Sequence, residues 1–418
     1  MKVWTACCGV LGLVVSLYAC RRPAMTGPRA LDAKVVAVAP SASASTSLES
    51  ESKIVLDQLE SAQSSAGCAQ VLASSGGFYT IGGQSPHVVM LHGAAPFSKS
   101  FPGALWLAGA AHPKRPELVL IGGYAGHMPE LGPDAPRVGL FALRLNEKGE
   151  VVWRRSLEHS NPEELRIYEE DLVLEPDGRL LEFGVGGAWQ IPSLFGVAHA
   201  GDQEREYLTR LDFTGARNWL RPAGVGEVYL SIASDGLGAV YATTRGAHDV
   251  DRLLRIDADG RLEWTRDLRD WPGALAADGV GGVWLATEVH VTSSHSNARA
   301  LHYHRDGRVL EAFSLGDAQA PNPFTKFARQ AMLDFQPDGQ GRLWLLGHFS
   351  VSMALGEHEL FKRYEGQKFL AALDKSLRTL AVLPVDLNVN LASVGAKAVA
   401  ASEDDDGICS LRSLSVWP

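Results

Sequence analysis

The densest group of metal-capable side chains in the chain is His290, His295, His302 and His304, four histidines within fifteen positions. His302 and His304 would face the same side of a strand, an arrangement that can bind zinc or copper. Their surroundings argue against that use. His302 fills the slot that Arg144, Arg210 and Arg255 hold in related segments, and His304 replaces the turn residues Asn146, Asp212 and Asp257. These read as exposed repeat positions, so no metal is assigned. The acidic run Glu403-Asp404-Asp405-Asp406 has the charge of a calcium loop without its alternating register or its downstream ligand, and reads as a solvated turn. Asp235, Asp278 and Asp338 recur at equivalent places, which marks turn formers rather than catalytic acids.

No nucleophile elbow, HExxH pair, phosphate-binding loop or dinucleotide glycine motif is evident. The Asp boxes of sialidases need S-x-D-x-G-x-x-W, and the copies here carry one more residue between Asp and Gly. Quinoprotein dehydrogenases use adjacent cysteines over their cofactor, but the adjacent pair here, Cys7 and Cys8, lies in an apolar leader. The sequence therefore assigns no catalytic residue and no cofactor.

Turn chemistry is what recurs. Three segments align without gaps: Asp235-Gly-Leu-Gly238-Ala-Val-Tyr241, Asp278-Gly-Val-Gly281-Gly-Val-Trp284 and Asp338-Gly-Gln-Gly341-Arg-Leu-Trp344. Looser copies are centred on Gly76, Pro116, Gly178 and Gly407, which makes seven. A second motif, D/N-x-x-G-x-x-x-W, alternates with the first at Asn146–Trp153, Asp212–Trp219 and Asp257–Trp264, and keeps its frame without tryptophan at His304 and Asp374. An Asp or Asn that accepts backbone NH groups, followed by a glycine with positive φ, reverses a strand at little steric cost. The flanking residues alternate apolar and polar as half-buried strands do, and the aromatic at the end of the second arm is placed to pack between sheets. First-motif spacings range from 40 to 66 residues, which suits four-stranded units with inserted loops.

The two motifs resemble bacterial β-propeller repeats of the SBBP type and, more distantly, PQQ-like repeats. The resemblance covers about residues 73–411, is strongest from 205 to 348, and speaks to fold rather than activity. It implies an all-β propeller of six to eight four-stranded blades, and the seven first motifs give seven. Few residues follow the last motif, so an outer strand must come from elsewhere, either Ile54–Leu59 or Cys68–Leu72. Cys409 sits in the last strand and Cys68 just before the first unit, so a bond between them would fasten the seam; two buried free thiols are the alternative.

Residues 3–19 form an apolar run behind Lys2, the pattern of a bacterial secretory signal and too short for a confident span. Leu17-Tyr18-Ala19-Cys20 is similar to a lipobox, although Tyr18 departs from its usual small residue, and it implies a lipid-anchored Cys20; an ordinary signal peptide cleaved nearby is the alternative. Arg21 after the cysteine implies the outer membrane by the same resemblance. From Cys20 to Ser52 the chain is rich in Ala, Ser and Pro and reads as a tether, with the folded domain at 53–418.

A net charge of −9, with 39 Lys and Arg spread along 418 residues, argues against nucleic acid as a partner. The insertions near 122–140, 185–206 and 312–332 depart most from the repeat, and loops at a propeller mouth commonly carry recognition. Tyr124, His127, Trp189, Phe195, His199, Phe324 and Phe327 are accordingly the contact candidates, with packing back onto their own blade as the alternative. The expected function is a lipid-anchored envelope protein that presents a rigid face to a protein, peptide or glycan without catalysis. The alternatives are an enzyme of lactonase, lyase or glycosidase type with a central-channel site, and a purely structural member of a surface assembly.

Overall fold

Each repeat folds as an antiparallel sheet whose successive strands lie side by side. The computed structural model describes residues 53–417 apart from 59–68, 83–86, 94, 163–171, 185–205, 213, 215, 247–249, 293–294, 315–327, 339–341, 350–351, 356–357, 362–366, 386–388, 395–396 and 404–408. The first strand is β1 (Lys53–Gln58). One sheet then comprises β2 (Gln70–Ser74), β3 (Gly77–Ile81), β4 (His87–Gly93) and β5 (Phe97–Phe101). The next holds β6 (Ala104–Ala111), β7 (Leu118–Ala125), β8 (Val138–Leu145) and β9 (Val151–Glu158). A third holds β10 (Leu172–Leu174), β11 (Leu180–Gly184), β12 (Tyr207–Leu211) and β13 (Arg217–Pro222), and a fourth β14 (Val228–Ser234), β15 (Val240–Arg245), β16 (Asp251–Ile256) and β17 (Leu262–Leu268).

Two further runs of four follow: β18 (Trp271–Ala277), β19 (Val283–Thr292), β20 (His295–Tyr303) and β21 (Val309–Ser314), then β22 (Ala328–Pro337) and β23 (Leu343–Phe349). After a separate hairpin of β24 (Ser352–Leu355) and β25 (His358–Phe361), β26 (Gln367–Leu373) and β27 (Thr379–Val385) complete the second run. The chain ends with β28 (Val389–Val394), β29 (Lys397–Glu403) and β30 (Cys409–Trp417).

The all-β propeller expected from the repeats is present, but the blade count is corrected. Five blades stand as separate four-stranded sheets rather than seven, or the six to eight allowed. The β18–β21 and β22–β27 runs are joined into one eight-stranded sheet. A short parallel contact causes this, His295 and Ser296 of β20 pairing with Ala328 and Arg329 of β22, where a repeat pattern built only on turns anticipates separation. The leading strands β2, β6, β10, β14, β18, β22 and β28 pack one against the next, and β28 returns to β2.

The seam is closed by the first of the two segments anticipated. Lys53–Gln58 pairs antiparallel with Arg412–Trp417, so β1 supplies the outer strand of the sheet β28-β29-β30-β1. Gln70–Ser74 belongs instead to β2 of the following blade. Cys409 lies on β30, fully buried, and is not a free thiol, whereas Cys68 lies outside the described residues.

The turn chemistry explains why these segments fold as they do. Asp235 Oδ1 accepts the NH groups of Leu237 and Ala239 at 2.8 and 2.9 Å, and Asp278 Oδ1 those of Val280 and Gly282, each at 2.8 Å. In the second motif Asp257 does the same for Asp259 and Arg261, and Asp374 for Ser376 and Arg378. The motif glycine has a further task. Gly260 has φ +84°, and a Cβ placed there would lie 2.8 Å from Trp219 of the preceding blade. Trp219 Nε1 donates to Ala258 O at 3.0 Å, and Trp264 repeats the contact one blade on, to Arg305 O at 2.9 Å. The glycine and the tryptophan of the motif thus belong to one inter-blade joint: the glycine of one turn makes room for the aromatic of the blade before it.

Apolar layers fill the remaining space between blades. Leu208, Tyr229, Val240 and Leu254 occupy the layer between β10–β13 and β14–β17; Tyr241, Leu253, Val283 and Leu285 occupy the next. Fully burying a side chain of this size contributes about 1.5–3 kcal/mol, so the layers, repeated around the ring, dominate cohesion.

Candidate functional site

Most residues singled out by their chemistry serve to clamp blades. The acidic residue of a first motif meets the basic residue of the third strand of the same blade: Glu117 with Arg144, Glu175 with Arg210, Asp235 with Arg255 at 3.4 Å and Asp278 with His302 at 2.9 Å. The slot held by Arg144, Arg210, Arg255 and His302 is therefore not the exposed position that the repeat suggests. Arg144 is 4% and Arg210 0% exposed. A sequence frame gives strand position but not what stands on the neighbouring strand, and here the facing carboxylate draws the guanidinium inward. Arg210 also reaches the next blade, donating to Gly238 O at 2.9 Å and Ala258 O at 3.2 Å, while Ser234 Oγ donates to Glu175 at 2.6 Å. These four pairs hold the turn edge together; Asp235 and Arg255 also line a shallow cavity of about 330 Å³ with Glu263 and Arg305.

The histidines are dispersed among separate roles. His302 stacks on Trp284 with ring centroids 4.1 Å apart, His304 pairs with Asp306 at 3.1 Å, and His290 meets Trp271 edge-on at 4.6 Å. Burial raises the Asp278 carboxyl, but the bonds from His302 and from the Val280 and Gly282 amides outweigh it and leave the group below the usual carboxylate range. Among the described residues no three His, Cys, Asp or Glu side chains converge as a metal site would require. The acidic turn at 404–406 lies outside those residues.

Of the contact candidates, Tyr124 and His127 are described. Tyr124 is fully buried, edge-on to Phe141, with its hydroxyl donating to Pro136 O at 2.8 Å, and so offers no surface to a ligand. The insertion folds back because Met128 and Leu131 are buried beside it. His127 is exposed. Trp189, Phe195, His199, Phe324 and Phe327 lie outside the described residues.

The features suited to recognition gather instead on one edge of the β14–β17 blade, opposite the clamped turns. Register places Val228, Arg245, Asp251 and Leu268 in one row across the four strands. Adjacent residues on a strand point to opposite faces, so Asp251 turns toward the following blade and Arg252 toward the preceding one. On the Arg252 side is a cavity of about 520 Å³, within the range of small-ligand sites. Arg221, Tyr229, Arg252, Glu227 and Asp267 supply its polar groups, and Ala223, Leu254 and Leu262 its apolar ones. Arg252 pairs with Glu227 and, at 3.3 Å, with Asp267. Tyr229 is buried and, chiefly by desolvation, titrates far above the ordinary phenol range, so it stays a neutral hydroxyl.

On the Asp251 side stands Trp271, 52% exposed at the start of β18. Arg245 holds it from one side, its guanidinium 5.1 Å from the ring and itself fixed to Asp251 at 3.0 Å, and His290 holds it from another. Asp270 beside it pairs with Arg299 at 3.2 Å. Sequence reading missed this edge because Trp271 falls between motifs, in neither a repeat position nor an insertion. Its signal was a tryptophan directly before a proline at the opening of a strand, outside the D-x-x-G-x-x-x-W frame.

Among solved structures, the β-propeller domain of the Trilobed protease from Pyrococcus furiosus is similar, with a TM-score of 0.50, 10% identity, and coverage of 86% of this chain and 96% of that one. The chain has the β-propeller fold. At such identity the likeness concerns the fold alone. A Bacteroides caccae protein of unknown function (TM-score 0.37, 10% identity, 75% of this chain and 97% of that one) and the Pan2 WD40 domain of Neurospora crassa (0.39, 11%, 72% and 76%) are also similar. No protein-family model matches the chain, and no curated protein matches it.

Proposed function

We propose that this propeller is a binding module without catalysis, exported and tethered to the cell envelope through a lipidated Cys20, whose recognition edge is that of the β14–β17 blade. The observation that carries the reading is the exposed, doubly braced Trp271 standing on the same edge as the Arg221–Arg252 cavity. Exposed aromatic rings held in one orientation offer contact area at small ordering cost. The carboxylates of this edge, Glu227, Asp251, Asp267 and Asp270, are each engaged by an arginine rather than arranged as an acid and base about a common point, which favours binding over the central-channel enzyme. We further propose that the partner is an envelope protein or glycan, that the outer membrane is the site of anchoring, and that Cys68 and Cys409 are bonded across the seam. The burial of Cys409 and its lack of a free thiol support the last point.

Co-purification from native envelope with Trp271→Ala as control tests the binding role: a reproducible partner lost in the variant is expected. Turnover of a sugar or lactone without any partner would overturn it. Intact mass of membrane-extracted protein tests the anchor, and a mature mass without acyl groups would contradict it.

A further inference from the structure

We infer that the cavity between the β10–β13 and β14–β17 blades is a site for an uncharged glycan. The inference rests on the binding role proposed above and names the ligand of that edge. Of the three arginines on the lining, Arg266 sends its guanidinium to Gly307 O and Asp306 O of the following blade, at 3.0 and 3.2 Å; Arg221 and Arg252 remain to face two carboxylates, Glu227 and Asp267, so the side chains that face the cavity balance in charge and give an ion no particular attraction. Hydrogen-bonding capacity is nonetheless high. Each guanidinium has five donors and each carboxylate accepts at two oxygens. Arg221 makes no ion pair among the described residues, and Arg252, though it bridges Glu227 and Asp267, has donors to spare. The neutral Tyr229 hydroxyl and Thr265 add groups able both to donate and to accept.

A ligand that matches such a surface presents closely spaced hydroxyls, each a donor and an acceptor, on a framework with apolar C–H faces. The C–H faces have partners too: Leu254 and Leu262 within the cavity, and the Trp271 ring farther along the same edge. A peptide would satisfy the carboxylates through its amides but leaves the donors of Arg221 to its sparser carbonyls. A strongly anionic chain would meet Glu227 and Asp267.

The test is calorimetry and saturation-transfer NMR on the purified full chain. The probes are neutral hexose, pentose and N-acetylhexosamine oligosaccharides, their uronate counterparts, and a mixed peptide library. The expected result is binding of a neutral oligosaccharide with an affinity that changes less than about twofold between 50 and 500 mM salt, since little counterion release accompanies an uncharged ligand. Arg221→Gln and Glu227→Gln should each weaken it tenfold or more while leaving the melting temperature within about 2 °C, since both side chains are only partly buried and a partly exposed pair such as Glu227–Arg252 contributes about 1 kcal/mol or less. Preference for the uronates with steep salt dependence, preference for peptides, no binding by any neutral oligosaccharide, or binding untouched by both variants would each overturn the inference. If the envelope partner is still captured through Trp271 in those cases, the binding role stands and only the ligand class falls.

Discussion

The Glu175–Arg210 pair offers the most demanding test of how the ring is held. Arg210 is 0% exposed and Glu175 2% exposed, and the guanidinium makes contacts to Gly238 O and Ala258 O of the next blade besides its carboxylate. Replacing Arg210 by Met keeps much of the volume but leaves the Glu175 carboxylate buried, with the Ser234 hydroxyl as its near partner and Arg179 at 4.0 Å. Breaking a buried pair on one side typically costs about 3–5 kcal/mol. Arg179 is on hand to screen part of the charge, so the lower end, about 3 kcal/mol, is expected. Scaled by roughly 2 °C per kcal/mol for a large domain, that lowers the melting temperature by about 6 °C. The double variant Arg210→Met with Glu175→Gln removes the stranded charge and should recover at least half the loss. Urea unfolding of wild type, both single variants and the double variant measures all of this as one cycle. A loss under about 1 kcal/mol in Arg210→Met, or a double variant as unstable as the sum of the singles, would refute the reasoning.

Other expectations are as direct. Gly260→Ala places a methyl against Trp219 at a position with φ +84°, and should lose at least about 2 kcal/mol in urea unfolding, with Trp219 fluorescence altered in the folded state. His112 is buried, and its Nδ1 accepts the Lys114 and Arg115 amides; desolvation first and the Arg115 charge second lower its pKa from 6.5 to about 4. The unfolded chain therefore takes up this proton first, and stability should fall as pH drops from about 6.5 toward 4, a slope that His112→Gln reduces in urea midpoints measured across that range. Trp271→Ala, on an exposed ring, should leave stability within about 0.5 kcal/mol while abolishing partner capture.

The sequence made the joints of this fold legible and left its partners obscure. An Asp three residues before a glycine, or before the Leu377 that stands in for one, states its own local chemistry, so Asp235, Asp257, Asp278 and Asp374 could be read as turn formers, and the aromatic of the second motif as a packer between sheets. The need for a closing strand followed from counting strands, with Ile54–Leu59 and Cys68–Leu72 both open; the pairing of Lys53–Gln58 with Arg412–Trp417 decides between them. The number of separate blades did not follow, because the pairing of His295 and Ser296 with Ala328 and Arg329 joins residues more than thirty positions apart that belong to neither motif. Burial of Arg210 was equally hidden, since its counter-charge, Glu175, lies thirty-five residues upstream in a loose copy of the other motif. Leu377 shows the frame outlasting its usual residue: it holds the left-handed conformation, φ 59°, where other copies place glycine, and its side chain packs on the adjoining core. The candidate site was the least legible part, because Trp271 and Arg221 come to share the proposed recognition edge only through strand register, and aromatic loops drew attention that Tyr124, sealed in its own blade, does not repay.

The claim on which the rest depends is that β1 completes the last sheet and shuts the ring. Hydrogen–deuterium exchange of the native protein, read at the amides of residues 54–58 beside those of residues 398–402, tests it most directly. Protection of the two segments to a similar degree, lost together on denaturation, is the predicted result. Exchange of residues 54–58 at the rate of an unstructured peptide, with residues 398–402 still protected, would contradict it.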